Sequence, residues 1–428
     1  MVPGLGATRR RELCCRSVFR SPPRARKEAP LTEPRSAAQR LPSLTGLRFA
    51  AALLVFAVHA YSMIPLADPG ERRVARLLAD AGDLGVSVFF VLSGFVLTWS
   101  ARTGLKVARY LRARIARIYP AHLVALALAL GGLALTDRVP PAVGELLVTT
   151  ALLVQAWDPR EYVYLAINPV TWSLSCEIAF YLSFPLWYAG LRRVGRYGLW
   201  SLAVLLIAGV WLMPALAEVA IAPEHRRWFV YAFPLTRMLE FALGIVLARL
   251  VITDAWRGPG LPLALLLWVG NYLIVEWLPA QTRDTAATVV ATALLIPAAA
   301  RADLTGAWSM WRGRVIQHFG EVSYAFFLVH LTVVVTGMEL IGREKTWSAP
   351  AALALTVAFL LLSYALAVPL HRWVERPAMR LLAGGRRPVA LALPRQRSAA
   401  TAGAAAARAE GSSHARAHAH GSSVDAQR

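Results

Sequence analysis

The feature of the sequence that most constrains its fold is one apolar stretch, Leu44 to Tyr61, that carries two ionisable side chains. Arg48 lies near its start and His59 follows eleven residues later. In an α-helix the two would lie roughly 16–17 Å apart along the axis and within roughly 20° of the same face. Ionisable side chains are costly inside a membrane span, so both are candidates for function. The alternatives are an arginine that reaches the membrane boundary and a histidine that is hydrogen-bonded within the bundle.

Long apolar blocks fill most of the chain between two basic tails. Of the 428 residues, 57% are hydrophobic, against about 45–50% in soluble domains. The sequence therefore predicts an all-α fold, a polytopic bundle of membrane helices. The net charge is +21, but the arginines concentrate in the tails and in short loops. That placement is typical of membrane topology and of contact with anionic lipid, so we expect membrane lipid and no nucleic acid as a partner.

The basic loop between the second and third apolar blocks orients the bundle. Residues 102–117 contain six arginines or lysines and no acidic residue, which places the loop in the cytoplasm. The resulting alternation predicts about ten spans in the plasma membrane with both termini cytoplasmic. The predicted spans are 43–64, 83–100, 118–135, 172–190, 198–216, 229–251, 260–278, 284–300, 319–341 and 350–371.

One apolar block, residues 144–157, is too short for a span of ~20 residues. We expect it to be a re-entrant or interfacial segment at the outer face. The transmembrane domain then covers residues 43–382. It lies between a disordered basic tail, 1–42, and a disordered tail rich in Ala, Arg and His, 383–428, both cytoplasmic. No P-loop, dinucleotide fingerprint or zinc-site pattern is present, so we expect no metal and no bound cofactor.

Six motifs follow one another between residues 43 and 380. They are Arg48 with His59; Gly85-Val86 before Phe89 to Phe95; Tyr110 to Pro120; Trp172 to Glu177 with Phe180, Tyr181 and Pro185; Gly320 to Tyr324 with His330; and Glu375-Arg376-Pro377. Each is weak alone, but in this order they resemble the acyltransferase 3 family of bacterial integral-membrane acyltransferases. Many relatives carry a second acidic residue after the Trp-Ser-Leu motif, whereas here Ile178 follows Glu177.

The resemblance implies a helical bundle and an enzyme that transfers acyl groups other than aminoacyl groups. Members of the family move an acyl group, commonly acetyl from acetyl-CoA, onto hydroxyl groups. Acyl-CoA would then be a co-substrate rather than a bound cofactor. The acceptor stays open between an envelope glycan, a lipid and a secondary metabolite such as a macrolide sugar.

A catalytic pair is predicted from depth in the membrane. Glu177 lies about 7–8 Å into a span that enters from outside, and His59 lies roughly 9 Å below the outer end of its helix. At that shared level His59 would remove the proton of the acceptor hydroxyl, and Glu177 would orient the imidazole or stabilise its protonated form. The alternative for Glu177 is a structural ion pair with an arginine. The candidate supporting residues are Trp172, Ser173, Tyr181 and His330.

The donor site is predicted at the cytoplasmic end, where four arginines meet. Guanidinium groups suit phosphates, so we expect Arg48, Arg112, Arg114 and Arg117 to bind acyl-CoA. The alternative for each loop arginine is a role in topology and lipid contact alone. Elsewhere, Gly85 and Gly94 are expected to allow close helix contact.

The second functional hypothesis is a proton-coupled transporter that uses buried His, Glu and Arg side chains. Such a protein favours inverted repeats and broken helices in matching halves, and the sequence shows no internal repeat. Arg237 and Glu240, three residues apart, are expected to pair structurally rather than to conduct protons. The ordered motifs favour the enzyme.

Overall fold

The computed structural model describes residues 39–79, 83–101, 106–278, 280–283 and 285–382. The predicted tails lie outside these residues except at 39–42. Within them the chain is helical, and the β pairing is limited to an isolated bridge between Leu66 and Trp347. The helices are α1 (Pro42–Met63), α2 (Pro69–Ala79), α3 (Asp83–Ser100), α4 (Val107–Leu135), α5 (Val143–Ala151), α6 (Glu161–Tyr164), α7 (Trp172–Leu191), α8 (Arg196–Ala220), α9 (Arg226–Tyr231), α10 (Pro234–Ile252), α11 (Leu261–Ile274), α12 (Ala280–Arg283), α13 (Ala286–Thr305), α14 (Arg314–Ile341), α15 (Ala349–Pro369) and α16 (Arg376–Leu382).

Six helical segments of the described chain are long and apolar enough to cross a membrane. They are α1, α4, α8, α13, α14 and the continuous segment Ala349–Leu382, in which a π-helical stretch, Leu370–Glu375, joins α15 to α16. Helices α3 and α11 contain shorter apolar stretches. The predicted all-α fold is confirmed, and the count of about ten spans stays a prediction.

Small residues bring α3 against its neighbours. A Cβ atom at Gly94 would collide with the carbonyl oxygen of Phe241 in α10, and one at Gly244 with that of Val91 in α3. A Cβ at Gly85 would lie 2.6 Å from the carbonyl oxygen of Ala51 in α1. The backbones can approach this closely only because no side chain intervenes. The predicted helix contacts at Gly85 and Gly94 are confirmed.

The same α3–α10 interface contains a buried ion pair. Arg237 Nη2 lies 3.1 Å from Glu240 Oε2, and each side chain is only 1% exposed. The guanidinium also lies over the ring of Phe90, 4.9 Å from its centroid, and donates to Ser87 Oγ at 3.3 Å. A buried charge needs such partners. The predicted structural pairing of Arg237 and Glu240 is confirmed.

The segment between α4 and α7 enters the interior of the bundle. Asn168 is fully buried, and its side-chain amide donates to the carbonyl oxygen of Leu328, in the middle of α14, at 2.9 Å. Earlier in the same segment, the carbonyl oxygen of Thr150 in α5 lies 3.0 Å from a ring nitrogen of His122 in α4. Because Asn168 is only four residues before Trp172, α7 begins deep in the bundle rather than at its surface.

A polar network fixes the start of α1, the helix that carries Arg48 and His59. The Ser43 backbone N–H donates to Asp303 Oδ2 at 2.8 Å and its hydroxyl to Oδ1 at 2.7 Å. Arg312 Nε donates to the same Asp303 carboxylate at 2.7 Å. The Asp303 carboxylate of α13 thus satisfies one free N–H group, that of Ser43, in the first turn of α1 and ties the start of α1 to α13.

Candidate active site

A cavity of about 270 Å³ lies between α1, α3, α4, α7 and α14. Six of the predicted site residues line it, namely Arg48, Arg114, Arg117, Ser173, Glu177 and Tyr181. Arg112 does not line the cavity; its side chain is exposed on the surface of α4. Trp172 lies beside the cavity lining, with its ring 6.0 Å from that of Phe90 and 4.5 Å from that of Tyr231.

Two of the cavity arginines make no direct ion pair with the residues that the structure describes. Arg48 makes no hydrogen bond or ion pair with the residues that the structure describes, and it is partly exposed to the cavity. Arg114 lies over the ring of Tyr181, 5.9 Å from its centroid, and its Nε is buried without a hydrogen-bond partner. Unpaired guanidinium groups facing an enclosed space form a site for an anion.

The third cavity arginine, Arg117, is fixed by an ion pair with a buried carboxylate. Arg117 Nη1 lies 3.0 Å from Glu375 Oε1, and the Glu375 side chain is fully buried. The other carboxylate oxygen of Glu375 accepts from His371 Nδ1 at 2.8 Å. Tyr324 supplies a ring 5.8 Å from the Arg117 guanidinium carbon. A chain of contacts therefore runs from the π-helical stretch into the cavity, and it fixes where Arg117 points.

Glu177 belongs to this arginine cluster and does not meet His59. Its Oε2 accepts the hydroxyl proton of Tyr181 at 2.6 Å, and it interacts electrostatically with the three cavity arginines. The predicted pairing of Glu177 with His59 relied on α7 starting at the outer membrane surface. In the structure α7 starts near Asn168, which is buried in the bundle. The catalytic role of each residue stays a prediction.

His59 is paired instead with His330. Their Nδ1 and Nε2 atoms lie 2.9 Å apart, and the rings stack with centroids 5.1 Å apart. His330 is fully buried, and its Nδ1 lies 2.8 Å from the carbonyl oxygen of Phe327. Two helices far apart in sequence thus join their imidazoles on the face of α1 that also carries Arg48.

The hydrogen bonds fix the tautomers of the neutral pair. A carbonyl oxygen only accepts, so Nδ1 of His330 carries its proton and Nε2 is an acceptor. His59 must then donate from Nδ1, which leaves Nε2 of His59 with a free lone pair. His59 is partly exposed while its partner is buried. The arrangement gives His59 the form that a general base requires.

Two residues of this arrangement were not assigned a role from the sequence. Glu375 and Tyr324 both stand in motifs noted above, but only the structure shows that they contact Arg117. For Glu375 the sequence offered one signal. It is a carboxylate in an apolar stretch, four residues after His371, which is the spacing of side chains that pair on a helix. Within the described residues no group of three or more His, Cys, Asp or Glu side chains could hold a metal ion.

Comparison with known proteins places residues 41–368 in one family. A family model described as an acyltransferase domain matches residues 41–368. Acyltransferase MdmB of Streptomyces mycarofaciens is 42% identical over 370 residues, 82% of this chain and 95% of that protein. Nodulation protein 10 of Rhizobium leguminosarum bv. viciae is 30% identical over 363 residues, 78% of this chain and 92% of that protein. Exopolysaccharide production protein ExoZ of Rhizobium meliloti (strain 1021) is 25% identical over 312 residues, 70% of this chain and 90% of that protein. No solved structure matches.

Proposed function

The chain belongs to the acyltransferase 3 family, and from that premise we propose that it moves an acyl group, commonly acetyl, from acyl-CoA to a hydroxyl group. The acceptor class is an envelope glycan, a lipid or a secondary metabolite such as a macrolide sugar. One observation supports the proposal above the others. A single face of α1 presents an unpaired cation, Arg48, in a cavity and a histidine with a free lone pair, His59, farther along the same helix.

The unpaired arginines supply the donor site. Arg48 and Arg114 meet the phosphates of coenzyme A, and Arg117, held by Glu375, completes the positive wall. The cavity volume, about 270 Å³, lies just below the roughly 300–1,000 Å³ of pockets that enclose a whole ligand. It therefore encloses only part of the donor, namely the diphosphate and the arm with its acyl end, and the adenosine lies outside. The Arg48–His59 spacing of roughly 16–17 Å is the length that this arm spans.

The histidine pair supplies the proton transfer. Nε2 of His59 accepts the proton of the acceptor hydroxyl while its oxygen attacks the thioester carbonyl carbon. The carbon–sulfur bond breaks, and the leaving thiolate takes the proton back from His59. Throughout, Nε2 of His330 accepts from Nδ1 of His59 and so stabilises the imidazolium. An acyl-histidine intermediate is the competing route.

Glu177 and its neighbours act on the donor side. The carboxylate holds the Tyr181 hydroxyl at 2.6 Å and balances part of the arginine charge, so it is a positioning residue rather than the partner of His59. Ser173 lines the cavity and donates to the Val170 carbonyl oxygen, which ties the first turn of α7 to the residues just before it. Trp172 supports the cavity wall by packing on Phe90.

The proposed donor and acceptor sites imply an orientation of the bundle in the membrane. The arginine cavity faces the cytoplasm, where acyl-CoA is found, and the acceptor arrives from the outer side of the plasma membrane. Both termini are then cytoplasmic. The transporter hypothesis has only the buried ionisable residues in its favour, whereas the family match adds an acyltransferase activity.

Comparing cells with and without the gene tests the proposal. We expect the wild-type gene to add one acyl group to a glycan, a lipid or a secreted product, seen by mass spectrometry, and the His59→Ala gene to leave that product unmodified. Membranes supplied with radiolabelled acyl-CoA should pass the label to the same product. Unchanged product masses together with an altered uptake or export of a solute would overturn the enzyme in favour of a transporter. Label trapped on the protein without acceptor would favour the covalent route.

A further inference from the structure

Two aromatic rings close one end of the arginine cavity. Along α14 the cavity is lined by Ser323, Tyr324 and Phe327, of which Phe327 is nearest to His330. Its ring meets that of Phe89 from α3 edge-on, with centroids 5.5 Å apart. Phe89 also lines the cavity. The two rings therefore form a wall at the end of the cavity that faces the histidine pair.

The histidine pair lies directly behind this wall. The ring of Phe327 lies 5.7 Å from that of His330 between centroids. The neighbouring Phe326 also contacts His330, with centroids 5.7 Å apart and the rings nearly parallel. Phe326, however, does not line the cavity and packs on Phe56 of α1 instead. Of these two phenylalanines, only Phe327 both lines the donor cavity and contacts His330.

From this placement we infer that Phe89 and Phe327 set the length of acyl chain that the enzyme accepts. The inference rests on the proposed function, in which the donor lies in the cavity and its carbonyl carbon reaches His59. The acyl chain on that carbonyl then lies beside these two rings, because they line the cavity and Phe327 contacts His330, the partner of His59. Phe327 is only 7% exposed, so its ring leaves little free volume.

The size dependence follows from close packing. Protein interiors have few voids larger than a water molecule, so each added methylene of the acyl chain has to displace ring atoms. Pockets that enclose apolar chains discriminate by roughly 10- to 200-fold for one methylene. Shortening either side chain opens space continuous with the cavity and should shift the preference towards longer chains.

The test compares chain-length preference in matched variants. Purified wild-type protein, Phe327→Ala, Phe89→Ala and Phe326→Ala are assayed with acetyl-, butyryl- and hexanoyl-CoA, and kcat/KM is measured for each donor. We expect the ratio for butyryl-CoA over acetyl-CoA to rise by about tenfold or more in Phe327→Ala and Phe89→Ala. In Phe326→Ala the ratio should stay at the wild-type value even where the overall rate falls. If Phe327→Ala does not fold, Phe327→Leu replaces it.

Three results would overturn the inference. An unchanged ratio in folded Phe327 and Phe89 variants removes it and leaves the proposed function standing. An equal shift in Phe326→Ala shows that looser packing around His330, rather than the cavity wall, controls the preference. If wild-type protein transfers no acyl group from any of the three donors, the proposed function itself fails, and the inference fails with it.

Discussion

The arginine cavity and the histidine pair lie along one face of α1, yet they are built in opposite ways. In the cavity, Arg48 and Arg114 make no direct ion pair within the described part of the chain, and Glu177 balances only part of the arginine charge. In the histidine pair, three of the four ring nitrogens have hydrogen-bond partners. The cavity therefore presents positive charge to an incoming anionic ligand. In the histidine pair only Nε2 of His59 has no hydrogen-bond partner among the described residues.

The contrast indicates a division of labour along one helix. Unpaired cations recognise an anionic donor but do not by themselves move a proton. A neutral imidazole in a defined tautomer moves a proton but binds phosphate poorly. Since both are fixed to α1, the helix sets the distance between donor recognition and chemistry at roughly 16–17 Å. Substitutions in the two regions should therefore change different kinetic constants.

The largest expected effect is at the histidine pair. His59→Ala should lower the rate of acyl transfer by roughly 10²–10⁴-fold, since it removes general base catalysis. The measurement is single-turnover transfer from radiolabelled acyl-CoA in membranes with a matched amount of inserted protein. Transfer at the wild-type rate would show that His59 is not the base.

A smaller effect is expected in the cavity. Arg48→Ala removes a charge-assisted contact, which is worth about 1.5–3 kcal/mol, so acyl-CoA should bind roughly 10- to 100-fold more weakly. Equilibrium binding of acyl-CoA to purified protein measures this directly. Arg48→Lys should recover part of the loss, because it restores the charge but not the guanidinium fork. Wild-type affinity in Arg48→Ala would exclude the cavity as the phosphate site.

The smallest effect is expected just outside the cavity. Arg112 is in the same basic loop and helix as Arg114 but is exposed away from the cavity. Arg112→Ala should therefore change acyl-CoA affinity by less than about twofold, as for most surface substitutions. A loss as large as that of Arg48→Ala would mean that the phosphates extend beyond the cavity along α4.

Much of this arrangement was predictable from the sequence, because it depends on local spacing. The Arg48–His59 face and the contacts of Gly85 and Gly94 follow from helical periodicity and small side chains. The grouping of Arg112 with the other donor-site arginines, by contrast, overlooked helical spacing. Arg114 and Arg117, three residues apart, are close on a helix, whereas Arg112 and Arg114 point roughly 160° apart.

What the sequence could not supply were contacts between distant segments. His59 and His330 are 271 residues apart, and nothing local to either residue indicates the other. The neighbours of Glu177 depend on where α7 starts within the bundle. Near that start the Asn168 side chain donates to the Leu328 carbonyl oxygen, a contact across 160 residues.

Acyl-CoA binding by the His59→Ala protein tests most directly whether donor recognition and proton transfer are separate. The variant should bind acyl-CoA with a dissociation constant within about twofold of the wild-type value, as expected for a residue that does not contact the donor phosphates. Its transfer activity should be lost in the same preparation. A loss of affinity as large as that of Arg48→Ala would contradict the separation and place donor and base in a single site.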